Sequence, residues 1–115
     1  MPPQVEVVLT HYFLGINDHS YTEYASSETA PQSQASFDSG FATTTDSDMT
    51  LTSLTSAANG ELAATITFTS HQSPSGSIDN SACNNWTLTL NLAPHGAGYL
   101  ITPPPSGYEP TYTDC

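Results

Sequence analysis

The spacing of apolar residues changes once along the chain, near Thr43, and this change sets the fold class. Before it, apolar residues recur every three or four positions, which places them on one face of an α-helix. After it, apolar and polar residues alternate, as they do in a β-strand with one buried face. We therefore predict an α+β protein in which helices come first and an antiparallel sheet follows.

The first segment predicts three helices. The first has an apolar stripe made of Val5, Val8, Leu9, Tyr12, Phe13 and Ile16. A second, from Ser20 to about Ser27, is expected to bury Tyr21, Tyr24 and Ala25. A third starts at a Ser33 cap and is expected to bury Ala35, Phe37 and Phe41.

The second segment predicts a sheet of about four antiparallel strands. Alternation begins at Met49 and loses its phase near Ser53, which predicts a bulged first strand. Asn59-Gly60 is a strong signal for a two-residue hairpin turn, and it precedes a strand from Leu62 to His71. One face of the sheet is therefore free for the helices to cover.

The third and fourth strands follow a long hairpin loop from Ser73 to Asn80. The third contains Trp86, which we expect to be largely buried beneath the first helix. The fourth runs from Tyr99 to Ile101 and ends at three prolines, which cannot donate to a ladder. The inward positions of the two long strands are all apolar: Leu62, Ala64, Ile66, Phe68, Trp86, Leu88 and Leu90.

Positive charge is missing from the side chains of this protein. Its 115 residues include 11 acidic side chains and no lysine or arginine, for a formal net charge of −11. A chain of this length ordinarily has about 14 basic residues. The deficit excludes nucleic acids and anionic membranes as partners, and any chemistry that needs an arginine clamp or a reactive lysine. The chain is thus a natural outlier or an engineered variant.

Length and cysteine content point to one extracytoplasmic domain spanning residues 1–115. No apolar run is long enough for a membrane span or a secretory signal, so Met1-Pro2-Pro3 is interpreted as an initiator placed before an excised domain. Cys83 and Cys115 are the only cysteines. A redox or metal pair lacks the usual CxxC spacing, and we expect a structural disulfide that holds the tail.

Several segments resemble the nuclear-transport-factor-2-like superfamily. Residues 12–24 are similar to its opening motif, in which an aromatic pair, an Ile-Asn and an acidic-x-x-Tyr turn join two helices. Phe37 to Phe41 resembles its third helix, and Ser81 to Leu88 its following long strand. With Tyr99 to Ile101 and a terminal Cys115, the closest likeness is to small secreted or surface-anchored actinobacterial domains. The resemblance implies a cone: three helices packed on a curved antiparallel sheet.

Cones of this superfamily often keep a pocket for a small apolar ligand. The candidate pocket residues are Tyr12, Tyr24, Phe68, Trp86 and Tyr99, for which simple core packing is the alternative interpretation. Enzymes of the superfamily need an inward carboxylate, and no carboxylate interrupts the apolar strand positions. We therefore expect a non-catalytic ligand-binding or interaction module without a cofactor. The alternative is a small-molecule isomerase or cyclase, which an inward acid with a raised pKa would favour.

The remaining polar candidates are expected to lie at the surface. Asp46 and Asp48 have no glycine-centred loop between them, so a solvated strand edge is favoured over a calcium site. The four histidines lack metal-ligand spacing, and no metal site is predicted. The open sheet face is rich in threonine, which favours a monomer over a dimer.

Overall fold

Three helices precede a five-stranded antiparallel sheet in the computed structural model, which describes residues 2–76 and 79–115. The predicted α+β order is confirmed. The helices are α1 (Pro3–Asn17), α2 (Tyr21–Ser26) and α3 (Gln34–Gly40). The strands are β1 (Thr45–Ser56), β2 (Leu62–His71), β3 (Cys83–His95), β4 (Gly98–Ile101) and β5 (Thr111–Asp114). The predicted loop between β2 and β3 includes residues 77 and 78, which lie outside the described residues.

Serine caps start the two short helices. The Ser20 hydroxyl accepts a hydrogen bond from the Glu23 amide at 3.3 Å, and Ser33 caps α3 in the same way. Phe37 of α3 is buried, as predicted. Ala35 is exposed, contrary to the prediction, because two residues correspond to about 200° around a helix and cannot share a face with Phe37.

The β1–β2 hairpin turns at the predicted Asn59-Gly60, but five residues, 57–61, connect the two strands instead of the predicted two. Asn59 and Gly60 have φ values of 62° and 78°, the positive values that a type I′ turn requires. The predicted bulge is present as a register shift between Leu51 and Ser53. A second shift, between Ser47 and Thr50, was not predicted. The path of the sheet is β1-β2-β3, and both β4 and β5 pair with the far edge of β3.

The fifth strand corrects the prediction of about four. β5 follows the prolines and pairs with β3, from Thr111 opposite Thr87 to Asp114 opposite Asn84. The Sγ atoms of Cys83 and Cys115 lie at bonding distance in a disulfide, with Cα atoms 5.4 Å apart. The tail is therefore ordered by backbone pairing as well as by the cross-link.

Two apolar clusters hold the helices on the sheet. The larger joins the α1 stripe to the sheet and contains Val5, Val8, Leu9, Phe13, Ala64, Ile66, Leu92 and Ile101. The smaller joins the three helices through Ile16, Tyr24 and Phe37. Tyr12 packs against both clusters, so its ring lies where the helical layer meets the sheet.

Trp86 belongs to neither cluster, and its predicted burial beneath the first helix is wrong. It is half-buried and pairs with Phe68, toward the opposite end of the strands from Leu92. Its ring centroid lies 4.9 Å from that of Tyr112, and its Nε1 donates to the Ser70 hydroxyl at 2.9 Å. The α1 residues of the larger cluster cover the Ala64 and Leu92 region instead.

Candidate ligand-binding site

A cavity of about 270 Å³ lies between the helical layer and the inner face of the sheet, and we call it the Asp46 cavity. Its walls are mostly apolar and aromatic, with Tyr12, Ile16, Phe41, Phe68, Trp86 and Leu88. Its polar lining residues are Thr44, Asp46, Ser70, Gln72 and Asn84, of which Asp46 and Ser70 are opposite each other on β1 and β2. An apolar chamber with few polar groups is typical of small-molecule sites.

The backbone of Asp46 is fixed by the end of α1. The Asn17 Nδ2 donates to the Asp46 carbonyl oxygen at 2.9 Å, and the Asp46 amide donates to the Asn17 Oδ1 at 2.6 Å. This two-way bond holds the start of β1 against the helical layer. The side chain of Asp46 is consequently locked inside the molecule, where the residue is 5% exposed.

The Asp46 carboxyl is buried without full hydrogen bonding. Among the residues that the structure describes, no donor reaches its Oδ1 atom. Burial disfavours the charged form and raises the pKa of Asp46 to about 6. A buried carboxyl group with an unpartnered oxygen is stabilised when a hydrogen-bond donor reaches it.

The expected placement of Asp46 at a solvated strand edge is therefore wrong, whereas Asp48 is exposed as expected. In a regular strand, side chains two positions apart point to the same face, so Asp46 and Asp48 would lie on one face. Asp48 instead has a φ of 55° within the register shift between Ser47 and Thr50. This irregularity breaks the alternation and separates the two carboxyl groups.

A second cavity, of about 370 Å³, adjoins the first and is called the Glu28 cavity. Tyr12, Phe41, Leu88 and Pro110 line both cavities. Burial raises the pKa of Glu28, and burial together with the nearby Glu28 charge raises the pKa of Tyr24 to about 12. The Tyr12 phenol lies between the cavities, and burial, followed by the Glu28 charge, raises its pKa as well.

Three of the five predicted pocket residues line the Asp46 cavity, and a fourth lines only the adjoining Glu28 cavity. Phe68 and Trp86 line the Asp46 cavity, Tyr24 lines the Glu28 cavity, and Tyr12 lines both. Tyr99 lies elsewhere, in a third cavity beside Pro2, Leu62 and Pro94.

Sequence reasoning missed both carboxyl groups of the site, Asp46 and Glu28. The only local signal was the Asn17-Asp18 stop of the first helix, and it predicts a helix end rather than a partner on β1. The side on which Asp46 lies depends on the unpredicted bulge that follows it.

Metal chemistry has no support at the histidines. His11 is exposed, and its Nδ1 lies 3.5 Å from the Glu23 Oε1, while the His71 Nε2 lies 3.5 Å from the Cys83 sulfur. Across residues 2–76 and 79–115, no three histidine, cysteine, aspartate or glutamate side chains form a group able to hold a metal ion.

Known proteins offer no relative from which the role of this site could be inferred. No protein-family model, curated protein or solved structure matches this chain. In the part of the chain that the structure describes, no helix is both long and apolar enough to cross a membrane.

Proposed function

We propose that this protein is a non-catalytic, extracytoplasmic cone-fold domain of the nuclear-transport-factor-2-like type that binds a small apolar molecule. The ligand occupies the Asp46 cavity and presents one hydrogen-bond donor to the carboxyl group. The order of three helices before a sheet and the motif around residues 12–24 support the cone. The Cys83–Cys115 disulfide supports an origin outside the cytoplasm, where such bonds persist.

The observation that carries the proposal is the buried Asp46 carboxyl group, which has an unpartnered Oδ1 and belongs to a residue that lines a largely aromatic cavity. Burial of a polar atom without a hydrogen bond costs free energy, and a ligand donor removes that cost. The flat rings of Phe68 and Trp86 supply apolar contact area on the sheet side. One polar anchor in an apolar chamber is the arrangement by which proteins orient small ligands.

Titration calorimetry with para-tert-butylbenzyl alcohol tests the proposal. This probe joins a compact apolar body to one hydroxyl donor, and we expect saturable binding at one site. Leu88→Trp places a larger ring between the two cavities and should weaken binding by about tenfold or more, equivalent to about 1.4 kcal/mol. Val7→Trp is the matched control, because Val7 is exposed on α1.

Thermal unfolding first establishes that each variant is folded, and Leu88→Phe replaces Leu88→Trp if the larger ring prevents folding. No saturable binding to the wild-type protein, or equal binding by the Leu88 and Val7 variants, would contradict a ligand site in the cavity.

The raised pKa of Asp46 favours one second candidate, an isomerase or cyclase. A carboxyl with a pKa near the operating pH is suited to general-base work, and Tyr12 lines the same cavity. A base of this kind exchanges the acidic hydrogens next to a carbonyl group. We expect no deuterium incorporation into cyclohexenone in D₂O above the buffer rate. Incorporation that Asp46→Asn abolishes would favour the enzyme instead.

A further inference from the structure

We propose that the ligand of the Asp46 cavity is a hydrophobic organic ammonium ion, such as a protonated arylalkylamine. This inference rests on the proposed function and names its ligand class. It is carried by the cavity itself, whose buried carboxyl group has an unpartnered oxygen and whose walls are aromatic.

The first argument is that no basic side chain among the described residues forms an ion pair with Asp46. The chain contains no lysine or arginine, so only a histidine or the terminal amine could carry a positive charge. All four histidines are exposed: His11, His19, His71 and His95. A ligand ammonium supplies the missing charge, and hydrogen bonds between ions are about twice as strong as neutral ones.

The second argument is that aromatic rings form much of the cavity wall. Tyr12, Phe68 and Trp86 line the cavity, and the Phe68 and Trp86 rings are almost parallel, with an interplanar angle of 15°. Aromatic faces carry negative electrostatic potential and attract organic cations, most strongly when both partners are desolvated. The same faces hold the apolar part of the ligand. A hydrated inorganic cation would gain nothing from them.

The third argument is the negative electrostatic field of the acidic groups around the cavity. Glu28 lies in the adjoining cavity, on the other side of Tyr12 and Leu88, so a second carboxyl group stands near the ligand. The net charge of −11 adds a long-range attraction for cations and repels anions. Anionic ligands are disfavoured for this reason, and a neutral alcohol gains only the hydrogen bond.

Binding should also depend on the ionisation of Asp46. Tyr12 is the titratable group that faces the cavity from α1, while β2 and β3 contribute the uncharged Ser70, Asn84 and Trp86. With a folded pKa of about 6, Asp46 loses its charge as the pH falls through that value. At pH 5 about one tenth of the molecules retain the charge, so ammonium binding should be about tenfold weaker than at pH 8.

The experiment compares three probes of one shape by calorimetry: para-tert-butylbenzylamine, the corresponding alcohol and the corresponding benzoate. At pH 8 the amine should bind about tenfold or more tightly than the alcohol, and the benzoate should not bind. Asp46→Asn should remove the preference for the amine, because the neutral amide keeps an acceptor oxygen for either probe but no negative charge. Asp48→Asn is the matched control, because it removes one exposed carboxyl group and changes the net charge equally.

The outcomes separate the two proposals. Alcohol binding that Leu88→Trp weakens, without a preference for the amine, would overturn the ammonium inference and leave the ligand site intact. An amine preference that survives in Asp46→Asn would also overturn it, because general charge attraction would then explain the preference. Failure of both amine and alcohol to bind would overturn both proposals.

Discussion

At the scale of single residues, burial of the Asp46 carboxyl group has a cost in stability, and the same group is the proposed anchor for a ligand. Two hydrogen bonds with Asn17 hold its backbone, and they keep the residue at an inward-facing position of β1. The structure contains a comparable carboxyl group that carries no such cost, because Asp48 is exposed only two positions away. The two residues therefore form a natural pair for experiment.

We predict that Asp46→Asn stabilises the protein at neutral pH. The folded pKa of about 6 lies above the unfolded value of 3.8, so burial of the charge destabilises the fold above pH 6. This penalty falls as the pH decreases and disappears below about 4. Two pKa units correspond to a gain on the order of 3 kcal/mol at pH 7. Urea unfolding at pH 7 and pH 4 measures it.

Asp48→Asn should show no comparable change between the two pH values, since its carboxyl group is already solvated. An equal stability difference between wild type and Asp46→Asn at both pH values would show that the pKa of Asp46 is not raised on folding.

At the scale of elements, the close crossing of α1 and α2 depends on Gly15. A Cβ atom built there would lie 2.5 Å from the Tyr24 amide nitrogen and 2.6 Å from its Cα atom. These are backbone atoms that cannot move away as a flexible side chain would. The Gly15 carbonyl also accepts a hydrogen bond from the Ser20 amide at 2.8 Å, at the start of α2. A missing side chain thus fixes the position of Tyr24 and of the Glu28 cavity that it lines.

We predict opposite effects of alanine at two helical glycines. Gly15→Ala should destabilise the protein by about 1–3 kcal/mol, because the added methyl group overlaps the backbone of α2. Gly40→Ala should leave stability unchanged or raise it by up to about 1 kcal/mol, because a Cβ there meets nothing within 4 Å. Urea denaturation measures both. Helix propensity alone predicts stabilisation in both cases, so a stabilising Gly15→Ala would refute the packing argument.

At the scale of the whole molecule, the carboxyl groups have very few cationic partners. The one ion pair within the described residues joins His11 and Glu23, and both side chains are partly exposed. Asn84 donates one Nδ2 group to both Asp79 and Asp114, which brings two acids together. A hydrogen bond shared with the Asp79 carboxyl raises the pKa of Asp114. Together with Glu28 and Asp46, this gives three carboxyl groups whose pKa values are raised.

We predict that the protein becomes more stable as the pH falls from 7 toward about 4. Carboxyl groups with raised pKa values bind protons more tightly in the folded state, so protonation favours folding. Salt acts in the same direction at neutral pH, since the Debye length is about 8 Å at 0.15 M and exposed repulsion is screened. Melting temperatures across pH 3–8, at low and high NaCl, measure both effects.

Added NaCl should raise the melting temperature at pH 7 and change it little near pH 4, where many carboxyl groups are neutral. A melting temperature that decreases steadily from pH 7 to pH 4, with no response to salt at pH 7, would exclude repulsion as the controlling term.

The sequence by itself determined the features that depend on neighbouring residues. The change of apolar period near Thr43 predicted the order of helices and strands, because side-chain direction repeats with the local backbone. The Ser20 and Ser33 caps and the Asn59-Gly60 turn were predictable for the same reason, since each involves contacts within a few residues. The disulfide was predictable because the chain offers only one cysteine pair.

Only the tertiary structure decided what depends on distant parts of the chain. β5 forms because β3 offers it a free edge and a cysteine partner, although the proline-rich segment before it shows no strand pattern. Asp46 is buried because a bulge two residues later changes the strand's phase and Asn17, 29 residues earlier, holds its backbone. The site's carboxyl group is thus set by long-range packing, which local sequence patterns do not encode.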